Sequence, residues 1–216
     1  MKMSQRCLRA LFVALPLFAA QVYAQSLEWT FDGESPFLPV YGTINGSSNI
    51  QENPAGVMNF TEVSTGNSFQ AFCVEPAVLM SYGDTVTYGI ADISELQNSE
   101  IIAKLISVYL NSSQGDLDAA AVQWAIWEIT NEAASSKSLT EDSGNVYITS
   151  DSESVALLAN EYLAAASNFT GTPVTLTYLT SDEGQNIVTW QVVPEPGSAL
   201  LIGLSGVVLL SRRRRA

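Results

Sequence analysis

TVTYGIADISELQNSEIIAKLISVYL, residues 85–110, changes its period half-way along. From Thr85 to Ile90, β-branched and aromatic side chains dominate a short run, the composition of a strand. From Ile101 onward the apolar residues fall at Ile101, Ile102, Leu105, Ile106, Tyr109 and Leu110, the spacing of one helix face. Ser94, with Gln97 three residues later, reads as a capping box opening that helix.

Outward from this switch the pattern is simple. Upstream, residues 27–32, 57–63 and 68–75 read as strands set between Gly, Asn and Pro breaks. Downstream of the 111–115 break, Asp116 or Asp118 caps a second helix running to about Glu132, and residues 152–166 form a third, rich in Ala, Leu and Glu. Strand character returns at 173–180 and 186–193, joined by a turn at 181–184. Strands, then helices, then strands predict an α+β fold rather than a parallel sheet.

The two ends carry transport signals. Lys2, Arg6 and Arg9 precede an apolar run from Leu11 to Ala20, and Val22-Tyr23-Ala24 places small residues where a signal peptidase cuts. Residues 1–24 thus read as a removable signal peptide, too short in its apolar part to span a bilayer core of about 30 Å. At the other end, Pro194-Glu195-Pro196 breaks the chain, residues 198–211 are apolar and small, and Arg212 to Arg215 follow. The arginines stay on the cytoplasmic side and leave the body outside. Pro-Glu-Pro, apolar helix and arginine run together resemble a PEP-CTERM sorting signal over residues 194–216. That resemblance implies transient anchoring by a short transmembrane helix, and processing near Pro194, Glu195 and Pro196 by an exosortase-type enzyme. It further implies the surface or biofilm matrix of a Gram-negative bacterium. A plain anchor that is never cut is the alternative.

Between the ends lies one domain, residues 25–193, long enough for a well-buried core. Seven of the nine basic residues sit in the terminal signals. Lys104 and Lys137 face 22 acidic residues, all between Glu28 and Glu195, so the exported body carries a charge of about −20. Such a surface repels nucleic acid and anionic lipid. With Cys7 in the signal, Cys73 is the one thiol of the mature chain, and the sequence contains no histidine. An internal disulfide is therefore impossible, and imidazole-assisted nucleophilic catalysis and the commonest zinc ligand are absent. No metal site or cofactor is expected. Glu141 and Asp142 sit in a polar turn without EF-hand spacing.

Two short segments carry potential chemistry. Phe72-Cys73-Val74-Glu75 ends a predicted strand, and Gln123-Trp124-Ala125-Ile126-Trp127 lies in the second helix. Gln123 shares a face with Trp127 amid alanines, a setting in which a carboxamide needs a partner. Together the segments resemble the thioester domains (TQXA type) of bacterial surface adhesins, which link an aromatic-Cys motif to a later Gln-x-Ala-Ile-Trp motif. The resemblance implies β-sandwich or barrel-like strands with an inserted helical subdomain. It also implies a Cys73–Gln123 thioester sheltered by Phe72, Trp124 and Trp127, and covalent attachment to amine-bearing surface or matrix molecules in adhesion. This would be a single-use reaction, not enzyme turnover. Val122 stands where the family commonly has threonine. The other reading of the same residues is a structural or carbohydrate-binding matrix protein in which Cys73 and Gln123 merely pack.

Overall fold

A computed structural model describes residues 27–44, 50–76, 78–131 and 145–193. The expected signal peptide, the expected polar turn at Glu141 and Asp142, and the tail from Pro194 onward lie outside the described residues. Four antiparallel strands come first: β1 (Leu27–Thr43), β2 (Gln51–Glu62), β3 (Ser68–Cys73) and β4 (Thr85–Ala91). Helices α1 (Ser99–Leu110) and α2 (Asp116–Asn131), the two-residue strand β5 (Tyr147–Ile148) and helix α3 (Glu153–Ser167) follow, and β6 (Thr175–Thr180) and β7 (Ile187–Gln191) complete the fold. The architecture is α+β, a seven-stranded antiparallel sheet with three helices among the described residues.

The strands run β2-β3-β7-β6-β4-β1-β5, and β1 also pairs with β2. Six strands therefore close on themselves and leave only β5 outside the ring. Closure removes the open edges of a flat sheet. Aromatic rings from four strands meet: Trp29 and Phe69 lie 4.1 Å apart, Phe60 and Phe69 5.1 Å, Phe31 and Phe60 5.5 Å, and Phe60 stands edge-on to Tyr88 at 5.9 Å. Such pairs contribute about 0.5–1.5 kcal/mol each beyond the area they bury.

β1 is far longer than residues 27–32. Gly33, Pro36 and Pro39 look like breaks in the sequence, yet the strand continues through two register shifts, between Phe31 and Glu34 and between Glu34 and Phe37. Gly33 has φ +94°, which lets the strand bulge rather than stop. Pro39 stands opposite Pro54, so the two missing N–H groups fall at one register position. β2 likewise begins at Gln51 rather than 57, and β5 has no recognisable signal in the sequence.

The Ser94 capping box is not formed. Ser94 belongs to a 3₁₀ turn, Ile93–Glu95, whose cap is Asp92, accepting from the Ser94 N–H at 2.9 Å. Helix α1 opens only at Ser99, beyond Gln97, with Asn98 at its N-cap in the left-handed region. Neither Asp116 nor Asp118 precedes α2 as a cap, since both lie in its first turn; from there Asp118 reaches back to accept from the Gly115 N–H at 3.3 Å and also accepts from the Tyr162 hydroxyl at 2.7 Å.

α2 is buried on every side from Ala119 to Ile129. Its alanines allow close approach to β1 and β2, and the Trp124 ring lies over Gly42 of β1. A Cβ at Gly42 would meet that ring and come within 2.5 Å of the Tyr147 carbonyl oxygen. Gly42→Ala should therefore push α2 off the sheet, lowering stability by about 1–3 kcal/mol in denaturant unfolding.

Candidate functional site

β3 reaches Cys73 with one side paired and one side open. Val74 donates to the Asn186 carbonyl at 2.9 Å, which makes Val74–Asn186 a hydrogen-bonded pair just before β7 begins. Hydrogen-bonded and non-hydrogen-bonded pairs alternate along an antiparallel ladder. The pair Cys73–Ile187 is therefore non-hydrogen-bonded, and the Cys73 N–H and C=O point away from β7. On that side β2 has already departed, its last partner on β3 being Ala71 opposite Met58. Two main-chain groups are left to be satisfied in a buried place.

Gln123 satisfies both. The Cys73 N–H donates to Gln123 Oε1 at 3.0 Å, and Gln123 Nε2 donates to the Cys73 carbonyl at 2.8 Å. The carboxamide takes the place of a missing strand. Cys73 is 2% and Gln123 1% exposed, so both are shut off from bulk water. The two residues that the sequence singles out, 50 positions apart, are thus brought together.

The supporting aromatics divide. Trp124 and Trp127 stand edge-to-face at 5.4 Å on α2. Phe72 turns the other way by strand alternation, against Tyr109 at 5.5 Å and Trp190 at 5.4 Å, and so lies on the face opposite the Cys73 side chain. Val122 is fully buried. Among the described residues no His, Cys, Asp and Glu cluster is placed to hold a metal.

Burial pushes the Cys73 thiol up to about 12, outweighing the Trp127 indole N–H and the Glu75 main-chain N–H, which favour the thiolate; the charges of Glu34 and Glu75 raise it further. The indole N–H nevertheless has no hydrogen bond of ordinary geometry. Cys73 is a neutral thiol at physiological pH. In the unfolded chain it would ionise near 9, so this residue costs stability only above that pH.

Glu34 has no signal in the sequence. It sits between the two bulges of β1, half-buried, and burial raises its carboxyl from 4.5 to about 7. Between those values folding takes up a proton, so this group's contribution to stability falls as pH rises.

Residues 192–215 match the sequence profile of the PEP-CTERM protein-sorting motif. The chain carries a sorting signal. A PEP-CTERM motif implies an exported protein that exosortase processes. The motif begins directly after β7 ends at Gln191, where Val192 is exposed. Its apolar segment lies outside the described residues; among those described, no helix is long and apolar enough to cross a membrane. Neither the curated proteins nor the solved structures offered a match to this chain.

The clamp can be measured without any covalent chemistry. In a Cys73→Ala background the main-chain groups at position 73 remain. Adding Gln123→Ala should then cost about 2–4 kcal/mol in denaturant unfolding, because two buried polar groups lose their partners.

Proposed function

We propose that the exported chain forms a thioester between Cys73 Sγ and the Gln123 side-chain carbonyl, and that it then attaches covalently to amine-bearing molecules at a Gram-negative cell surface or in its matrix. The clamp on Gln123 is the observation that carries this reading. A nucleophile must approach the carboxamide from outside its plane. On an extended strand the side chain stands out of the plane of the main-chain hydrogen bonds, so the Cys73 sulfur belongs on that side. The electrophile's oxygen meanwhile accepts from the Cys73 N–H at 3.0 Å, a distance suited to a developing oxyanion.

In the reaction Sγ bonds to the carbonyl carbon, the C–N bond breaks, and the thiol proton leaves with the nitrogen as ammonia. An amide is a poor electrophile and the buried thiol a poor nucleophile. Fixed placement compensates, with effective molarities on the order of 10⁵ M or more. Joining β3 to α2 across 50 residues also stabilises the fold by roughly 4 kcal/mol in the chain-entropy account. Attack by a target amine leaves an amide on Gln123 and frees the thiol. The event occurs once per molecule, so this is a covalent binder rather than an enzyme. Low lysine content limits self-attachment.

A purely structural matrix protein is the second reading, favoured by the completeness of the clamp: both polar groups of the carboxamide are already satisfied. Intact mass of the protein purified from cells that export it separates the two. The thioester gives a deficit of one ammonia, and methylamine adds its own mass to the deficient species. Cys73→Ala and Gln123→Ala should each abolish the deficit. A full mass with Cys73 alkylated after unfolding sinks the thioester.

A further inference from the structure

Both halves of the proposed chemistry move a proton. Closing the thioester carries it from sulfur to the departing nitrogen, and aminolysis carries one from the incoming nitrogen back to sulfur. The chain has no histidine to do this, and the only lysine among the described residues, Lys104, is held by Glu100 at 2.7 Å on the surface.

The fold sets a carboxyl on the Cys73 face of the sheet instead. Glu34 stands opposite Met58, and Met58 stands opposite Ala71, so the three share one face across β1, β2 and β3. Cys73, two residues beyond Ala71, lies on that face by strand alternation. The bulges on both sides of Glu34 are devices that re-aim a side chain. The chain leaving Cys73 returns to the same spot: the Tyr82 ring lies 3.5 Å from where a Gly33 Cβ would be, and Gly83 donates to the Phe31 carbonyl at 2.8 Å. The Glu34 charge acts on the Cys73 thiol through space, without a hydrogen bond between the two side chains.

We propose that Glu34 is the proton carrier of the Cys73–Gln123 site, an inference that rests on the thioester reading. In ring closure its carboxylate takes the Sγ proton, Sγ bonds to the carbonyl carbon, the C–N bond breaks, and Glu34 returns the proton to the nitrogen, which leaves as ammonia. In attachment the amine bonds to the carbonyl carbon and the C–S bond breaks, while Glu34 takes the amine's proton and delivers it to sulfur. The second half is the first run backward with a different amine, so one group must serve both. A carboxyl raised to about 7 is matched to giving and taking protons near neutral pH. Among the described residues, the other titratable groups facing the sulfur are Glu75, just beyond β3, and Tyr88 on β4. Burial raises the tyrosine hydroxyl and keeps it protonated, and it donates to the Gln185 carbonyl at 3.0 Å.

The test follows methylamine incorporation by intact mass from pH 5 to 9, in wild type, Glu34→Gln and Glu34→Asp, with thermal melting as the check on folding. Corrected for free amine, the wild-type rate should rise through about pH 7 and level off. Glu34→Gln should react about 100-fold or more slowly, or be purified with little thioester, and lose that inflection; Glu34→Asp should restore part of the rate. A Glu34→Gln rate equal to or above wild type overturns the assignment, the faster rate meaning that the charge merely opposes the thiolate. Loss in Glu75→Gln instead also overturns it. If Glu34→Gln does not fold, a wild-type profile without an inflection near 7 does the same. A wild-type chain of full mass, with no thioester at all, fails the underlying reading as well and is thereby distinguished from these outcomes.

Discussion

Two main-chain groups at Cys73 lose their strand partner where β2 leaves β3, and the rest of the site follows from how they are satisfied. Burying an unpaired N–H and C=O costs about 1–3 kcal/mol each, so the ladder needs a substitute partner there. Bulk water does not reach a residue 2% exposed. The substitute is a side chain from another layer, the Gln123 carboxamide, whose one acceptor and one donor match the strand's one donor and one acceptor. Satisfying the edge therefore fixes α2 against the sheet.

That placement explains the composition of α2. A helix buried on all sides between strands and α3 must be slim where it meets backbone, hence Ala119, Ala120, Ala121 and Ala125. It is bulky at Trp124 and Trp127, whose rings meet edge-to-face, with Trp124 over β1. Gly42 is the counterpart on β1, since its missing side chain is the space the Trp124 ring fills. These residues hold the carboxamide in one orientation. For the proposed bond, that orientation matters more than the intrinsic reactivity of either partner.

Burial has opposing consequences at the site. It raises the Cys73 thiol and so lowers the supply of thiolate, and it excludes the water that would hydrolyse a thioester. It also keeps Glu34 able to hold a proton near neutral pH. Away from the site the acidic body remains well solvated, and export places it where no intracellular thiol pool competes. The sorting motif starts at the residue after the last strand, so processing of the tail need not disturb the fold.

Much of this is legible without coordinates. The period switch at 85–110 and the runs at 68–75 and 173–180 yield the α+β order, because period-two and helical patterns are local properties of residues in series. The terminal signal at 192–215 is legible for the same reason, as is the chemical interest of a lone cysteine and a glutamine among alanines. The long course of β1 is not, since Gly33, Pro36 and Pro39 forbid a regular strand but permit a bulged one when a neighbour supplies the pairing. Nor is the fate of Ser94, whose capping pattern loses to the Asp92 turn. Residue order alone thus settles the element types, the charge and the candidate pair. That Gln123 clamps the Cys73 main chain, and that Glu34 shares its face, is decided in three dimensions, because open strand edges and bulge-directed side chains arise from pairing between segments far apart in the chain.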